Sequence, residues 1–215
     1  MGRKLLEIIK ASEEVLANHD VNKVRIDLGE NPANGIWLWG AGKMTHAQPF
    51  HSKFHIPGVM VSTSGMARGL AAVTGMDWVG PKSQSIQEST DLMHLTDLAI
   101  EEVKNKSLVI IYDDHAHQSS LMGDYRQKVR WIESIDRHII GELIGRVSEN
   151  CPIGLTSVHA TSSSEKKILS TQTPYLISKL GDSASQDQHF CERTTLGNNQ
   201  LITTPAEWMR SLLEA

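Results

Sequence analysis

The chain has 215 residues, 40% hydrophobic and 21% charged, with 21 Lys and Arg against 25 Asp and Glu and a formal charge of −4. That length suits one generous domain or two small ones and buries roughly 70% of the surface an unfolded chain exposes, so folding needs neither a disulfide nor a metal staple. The charge balance disfavours nucleic acid and anionic membrane as partners. No apolar run approaches the ~18 residues of a membrane span, and the two cysteines, Cys151 and Cys191, make no disulfide framework, so the expectation is a cytoplasmic globular protein.

The opening stretch, MGRKLLEIIKASEEVL, interrupts its apolar pattern with Glu7, Glu13 and Glu14. It reads as an amphipathic helix with Leu5, Ile8, Ile9, Val15 and Leu16 on one stripe, and not as the continuous apolar core of a signal peptide. Gly29, Pro32, Gly35, Gly40 and Gly42 then punctuate the chain, and Ile36–Trp39 between them reads as a short buried strand. Gly58–Ser62 is a second strand, followed by a helix from about Gly65 to Ala72. Residues 75–87 read as a connector. Ser85 and Glu88 fit a capping box before a helix striped by Leu92, Leu95, Ala99 and Val103.

Leu108–Tyr112 is a continuous apolar run that suits a central strand covered on both faces. Asp124 caps the next helix, whose stripe is Val129, Ile132, Ile135, Ile139, Leu143 and Val147. Ile153–Val158 and Thr173–Ser178 are further strands. The last helix has Thr204 as cap, Pro205 at its first position and Glu207 closing the box. Strand and helix alternate from about residue 86, which predicts an α/β layer architecture with a mostly parallel sheet.

Four constellations carry groups with chemistry. Gly40-Ala41-Gly42-Lys43 fails as a phosphate loop, because Met44 follows the lysine and Trp37 stands at the first glycine position. It remains a tight glycine turn with a lysine able to meet an anion. His51 and His55 share a helical spacing but have no third ligand of known position, and read as a solvated face. Ser162, Ser163 and Ser164 read as a polar loop rather than a nucleophile site. Asp113, Asp114, His115 and His117 crowd the carboxyl end of a predicted strand, where open α/β sheets bind ligands. Carboxylates with imidazoles are what zinc and manganese take, and a solvated loop is the alternative.

Asn34–Lys43 resembles the N-x-I-W-L-W-G-x-G stretch of archaeal-type cofactor-independent phosphoglycerate mutases. The segment from Val61 through Arg68, Gly69, Gly75 and Met76 resembles that family's I-S-x5-K-G-x5-G-M. Lys128–Asp136 resembles its K-V-x-x-I-E-x-I-D helix, and Phe190–Arg193 and the final capped helix resemble its C-terminal end. The resemblance implies an alkaline-phosphatase-like metalloenzyme fold. Such enzymes exchange a phosphoryl group between the 2- and 3-positions of glycerate through a phosphoserine, with two divalent metals (Mn, Zn or Mg). Residues 1–82 would then be part of an inserted α+β substrate domain, and residues 83–215 the C-terminal half of the core. The family's first metal-binding aspartate and its nucleophilic serine find no counterpart in these residues.

The remaining ligands depart from the pattern. His117 stands at the family's aspartate and Leu121 at its histidine. The later Asp-His pair falls on Val158 and His159, and the last histidine falls near Leu169–Ser170. Leucine and valine have no lone pair for a metal, and a two-metal centre needs ligands fixing both ions. The resemblance therefore implies a phosphoglycerate-mutase-like protein, impaired on its own. His117, His159 and Asp114 are its remaining candidate metal ligands, and Lys43, Arg68 and Arg25 are candidate phosphate contacts. Two alternatives stand beside it: an active enzyme completed by a partner chain carrying the N-terminal half (or a homo-oligomer), and a phosphate- or metal-binding module reusing the fold.

Overall fold

The computed structural model describes residues 2–38, 40, 42, 47–80, 89–182, 189–195, 201–202 and 204–215. They form two compact units, Met1–His46 and Ala47–Ala215. The sequence places a boundary near residue 82 instead. The difference arises because the strand at Gly58–Val61 pairs with Leu108–Ile111, fifty residues later, which ties residues 58–79 to the C-terminal part of the chain.

The first unit is two helices, α1 (Gly2–Ala17) and α2 (Asp20–Asp27). Among the described residues, Asn22 is its one buried polar side chain. The Nδ2 group donates to the carbonyls of Leu16 (2.7 Å) and Ala33 (2.6 Å), and Oδ1 accepts from the Ala33 amide (2.9 Å). The expected strand over Ile36–Trp39 is not formed at Ile36–Leu38, and Trp39 lies outside the described residues. Trp37 is 80% exposed. A lone extended segment has no ladder to satisfy its amides, so an apolar run by itself does not make a strand.

The second unit opens with α3 (Phe50–Phe54), β1 (Gly58–Val61), α4 (Gly65–Thr74) and β2 (Asp77–Val79). The connector predicted for residues 75–87 thus contains a strand, and the Ser85–Glu88 box lies outside the described residues. Then come α5 (Ser89–Val103), β3 (Leu108–Ile111), α6 (His115–Met122) and α7 (Tyr125–Ile135), which runs through a π-turn at Asp136–Ile140 into α8 (Gly141–Arg146). The chain continues with β4 (Pro152–Thr156), β5 (Ala160–Ser162), β6 (Lys167–Leu169), β7 (Tyr175–Lys179), α9 (Glu192–Thr195) and α10 (Pro205–Leu213).

The strands β1, β2 and β3 form one parallel sheet in the order β2-β1-β3, with Val61 level with both Val79 and Ile111. The central strand is therefore β1, and β3, expected in the middle, lies at an edge among the described strands. The antiparallel pairs β4–β7 and β5–β6 make the rest. Pro174 precedes β7 rather than entering it, since a proline cannot donate to a ladder.

Val61, Leu92, Leu95, Ala99, Trp131 and Ile139 form the core. The periodicity predicts Val129 and Ile132 inward in the long helix after Asp124, yet both are about half exposed and Trp131 is buried instead. The π-turn shifts the buried face by one residue between α7 and α8. It is held by the fully buried Thr96, whose hydroxyl reaches the Leu92 carbonyl at 2.9 Å and the His138 carbonyl at 2.8 Å.

Candidate functional site

Strand order reverses at β1, and ligands of open parallel sheets lie beyond the carboxyl ends of the strands at such a point. There Ser62 Oγ donates to the Tyr112 carbonyl at 2.7 Å and accepts from the Ser64 amide at 3.0 Å. Ser64 Oγ donates to Asp114 Oδ2 at 3.4 Å. The ends of β1 and β3 are thus joined by side chains as well as by the ladder.

Asp113 sits where β3 gives way to α6. Its carboxylate accepts from the His115 amide (3.1 Å) and from His115 Nδ1 (2.6 Å), which fixes the imidazole tautomer. The His115 ring packs on Trp131 at 4.4 Å between centroids. Burial, and then the charges of Asp114 and Asp113, push the Tyr112 phenol up and keep it neutral.

Within the first turn of α6, His117 Nδ1 lies 3.1 Å from His159 Nε2 and 2.9 Å from Thr161 Oγ1. The two rings meet edge to face, at 4.7 Å and 80°. Lys128 Nζ, from α7, donates to the Thr161 carbonyl at 2.8 Å. Burial pushes the His117 imidazole down, and the nearby His159 does so further, while Asp114 opposes them. Gly123, at φ +81°, ends α6 in the left-handed region and lets Asp124 cap α7 immediately, accepting from the Gln127 amide at 2.9 Å.

Of the predicted metal residues, His117 and His159 are in direct contact, and Asp114 is bonded to Ser64. Among the described residues no three His, Cys, Asp or Glu are gathered to hold an ion. Leu121 and Val158, which the resemblance sets at two family ligand positions, are 36% and 78% exposed. Neither side chain carries a lone pair for a metal.

The predicted phosphate contacts are distributed over both units and one of them lies outside the described residues. Arg25 belongs to the first unit, where its Nε donates to the Asn31 carbonyl at 2.8 Å and its guanidinium meets Glu30 at 3.6 Å. It also lines a shallow cavity of about 270 Å³ with Leu16, His19, Val21, Asn22 and Ala33. Arg68 belongs to the second unit, exposed on α4, with its guanidinium carbon 5.0 Å from the centre of the Trp78 ring. Lys43 lies outside the described residues. His51 is in α3, whereas His55 is that helix's left-handed cap at φ 60°, so they do not share a helix face.

Thr161 and Lys128 join the site without having been expected there. A signal for Thr161 exists in the sequence: it stands two residues after His159, and residues i and i+2 of an extended segment face the same side.

A family model described as "Metalloenzyme superfamily" matches residues 7–201. The 2,3-bisphosphoglycerate-independent phosphoglycerate mutase of Methanopyrus kandleri is 31% identical over 156 residues, covering 72% of this chain and 37% of that protein. That of Methanococcus aeolicus is 29% identical, covering 80% of this chain and 43% of that protein. The chain therefore spans less than half the length of these relatives.

Among solved structures, the PH0037 protein from Pyrococcus horikoshii superposes with a TM-score of 0.74 at 23% identity, over 91% of this chain and 51% of that one. The cofactor-independent phosphoglycerate mutase from Thermoplasma acidophilum superposes with a TM-score of 0.55 at 20% identity, over 96% and 48%. These likenesses carry the expected α/β alkaline-phosphatase-like fold. With the family model spanning nearly its whole length, the chain belongs to the metalloenzyme superfamily, in similarity to its cofactor-independent phosphoglycerate mutases.

Proposed function

We propose that this chain is a phosphoglycerate-mutase-like protein whose own residues do not carry out two-metal phosphoryl transfer between 2- and 3-phosphoglycerate. The reading rests on the resemblance, which puts Leu121 and Val158 at family ligand positions, and is supported by one observation: both side chains reach solvent and have nothing to offer a cation. By the same resemblance, apolar and glycine positions match the family's pattern, whereas donors that a two-ion mechanism requires do not. Arg68 remains suited to a phosphorylated small acid, since its guanidinium is exposed and among the described residues faces a ring rather than a carboxylate.

The test is a coupled mutase assay on the purified 215-residue chain with 3-phosphoglycerate and Mn²⁺, Mg²⁺ or Zn²⁺. The expected result is no 2-phosphoglycerate above the blank. Metal-dependent turnover by the chain itself would overturn the reading.

A second reading is favoured by the coverage of only 37–43% of two phosphoglycerate mutase relatives. In it, a polypeptide bearing the remainder of the fold completes the site. A native complex containing such a polypeptide, with turnover absent from either part alone, supports it. A homo-oligomer without activity counts against it.

A further inference from the structure

We propose that α1 is the interface of a homodimer, in which the exposed face of this helix packs antiparallel against its own copy. The inference does not rest on the reading above: mutase turnover by the chain would overturn that reading and leave this one untouched.

The periodicity puts Leu5, Ile8, Ile9, Val15 and Leu16 on one stripe, and the structure divides them. Leu5, Ile9 and Leu16 are half-buried in a row with Ser12, whose hydroxyl donates to the Ile9 carbonyl at 2.6 Å and accepts from the Ile36 amide at 3.1 Å. That row is the side α1 turns toward its own unit. Ile8 and Val15 are 50% and 65% exposed. With the exposed Ala11 they recur at i, i+3 and i+7, which makes one apolar ridge facing solvent. No residue of α1 is fully buried, so among the described residues this ridge is unpartnered.

The charges beside the ridge identify its occupant. Arg3, Glu7, Lys10 and Glu14 follow at i, i+4, i+7 and i+11, a second stripe on the flank away from Ser12, and all four are exposed. Among the described residues none of them forms an ion pair. Their signs alternate, and the order inverts end for end. The register that sets Arg3 against Glu14 of an antiparallel copy also sets Glu7 against its Lys10, about a two-fold axis between Ile8 and Ile9. Each contact is then made twice, as a two-fold axis requires. In a parallel pair in register, Arg3 meets Arg3 and Glu7 meets Glu7, which repels. A second copy carries the complementary pattern by construction.

Exposed ion pairs are individually weak, so the charges select the orientation while burial of Ile8, Ala11 and Val15 supplies the affinity. A helix of 16 residues is about 24 Å long, so the contact is small and the dimer is reversible and concentration-dependent.

The experiment is sedimentation equilibrium of the 215-residue chain across a concentration series. The expected result is a monomer–dimer equilibrium that weakens as salt is raised from about 0.05 M to about 0.5 M. Arg3→Glu with Lys10→Glu makes the charged stripe wholly acidic, and Glu7→Lys with Glu14→Lys makes it wholly basic. Each double variant should self-associate more than about tenfold more weakly than the parent, and an equimolar mixture of the two should form a heterodimer. Restoration by mixing separates a lost contact from a lost fold, and circular dichroism of each variant records its helix content. In a chain carrying Cys151→Ser and Cys191→Ser, Ile8→Cys beside the axis should cross-link to its copy on mild oxidation. Val15→Cys in the same background, about 20 Å from its copy, should not.

A parent chain that is monomeric even at about 0.1 mM overturns the interface. So does a dimer that both double variants keep, which puts the contact elsewhere. Equal cross-linking at Ile8→Cys and Val15→Cys, which means a parallel pair, overturns it as well.

Discussion

Ser62 and Tyr112 stand fifty positions apart in the chain, yet the Ser62 hydroxyl donates to the Tyr112 carbonyl at 2.7 Å, just past the ends of two neighbouring parallel strands. The same oxygen accepts from the Ser64 amide. One buried side chain therefore fixes the spacing between the loop after β1 and the loop that carries Asp113 and Asp114. Replacing Ser62 with Ala leaves a carbonyl and an amide short of a partner. A loss of about 1–3 kcal/mol is expected by urea unfolding, with the m-value unchanged. A loss below the error of that measurement would show that the two loops are spaced by the ladder alone.

Two glycines make opposite predictions. A Cβ on Gly80 would lie 2.3 Å from the Ser62 carbonyl oxygen and 2.5 Å from the Trp78 ring. Backbone cannot retreat cheaply, so Gly80→Ala should destabilise the second unit strongly. Gly69 is in the interior of α4, exposed, with nothing within 4 Å of such a Cβ. Gly69→Ala should therefore stabilise by up to about 1 kcal/mol, through helix propensity. Thermal unfolding of the two variants side by side distinguishes them, and a matching sign would contradict the packing at Gly80.

The two cysteines should differ in reactivity. Hydrogen bonds from the Thr194 amide and hydroxyl, with help from Arg193, hold the Cys191 thiol below its ordinary range. Burial pushes the Cys151 thiol up. The thiolate is the reactive form, so Cys191 should be alkylated first at pH 7.5. Peptide mass spectrometry after a short iodoacetamide pulse reads the order. Thr194→Val should slow the reaction at Cys191 and leave that at Cys151 unchanged.

Asp182 makes a pH prediction. The Lys179 amide (2.9 Å) and the Ser178 hydroxyl (3.0 Å) hold its carboxyl below the usual carboxylate value. A carboxyl whose folded pKa lies below its unfolded one stabilises above the unfolded value, near 3.8, and loses that contribution as pH falls through the folded value. Asp182→Asn should therefore differ most from the parent at neutral pH and converge with it in acid. A gap of constant size across the acid range would show that the carboxylate charge is not what matters. Because Asp182 is exposed, the effect should be small.

Legibility in the sequence varies by element. The final helix is readable in full, because its start is local chemistry: the Thr204 hydroxyl accepts from the Glu207 amide at 3.2 Å, with Pro205 between. The same holds for Asp124 before α7. The three candidate metal residues can be named individually, since carboxylates and imidazoles after an apolar run carry their own signal. Their arrangement cannot. That Asp114 bonds Ser64 while His117 meets His159 depends on β1 lying beside β3 and on β5 meeting α6. These are contacts between segments about forty to fifty residues apart.

What the sequence by itself determined was therefore what short-range forces decide: the starts of α7 and α10, the apolar stripe of α5, and the superfamily. Tertiary structure alone decided which apolar runs become strands and which faces are buried. Ile36–Leu38 has no partner strand among the described residues and stays exposed. By contrast, the weakly apolar Asp77–Val79 becomes β2 because β1 lies beside it. The reason is that a strand's hydrogen bonds are made with another segment, whereas a helix makes its own. Only the folded chain, for the same reason, brings His159 and Thr161 each to the same nitrogen of His117.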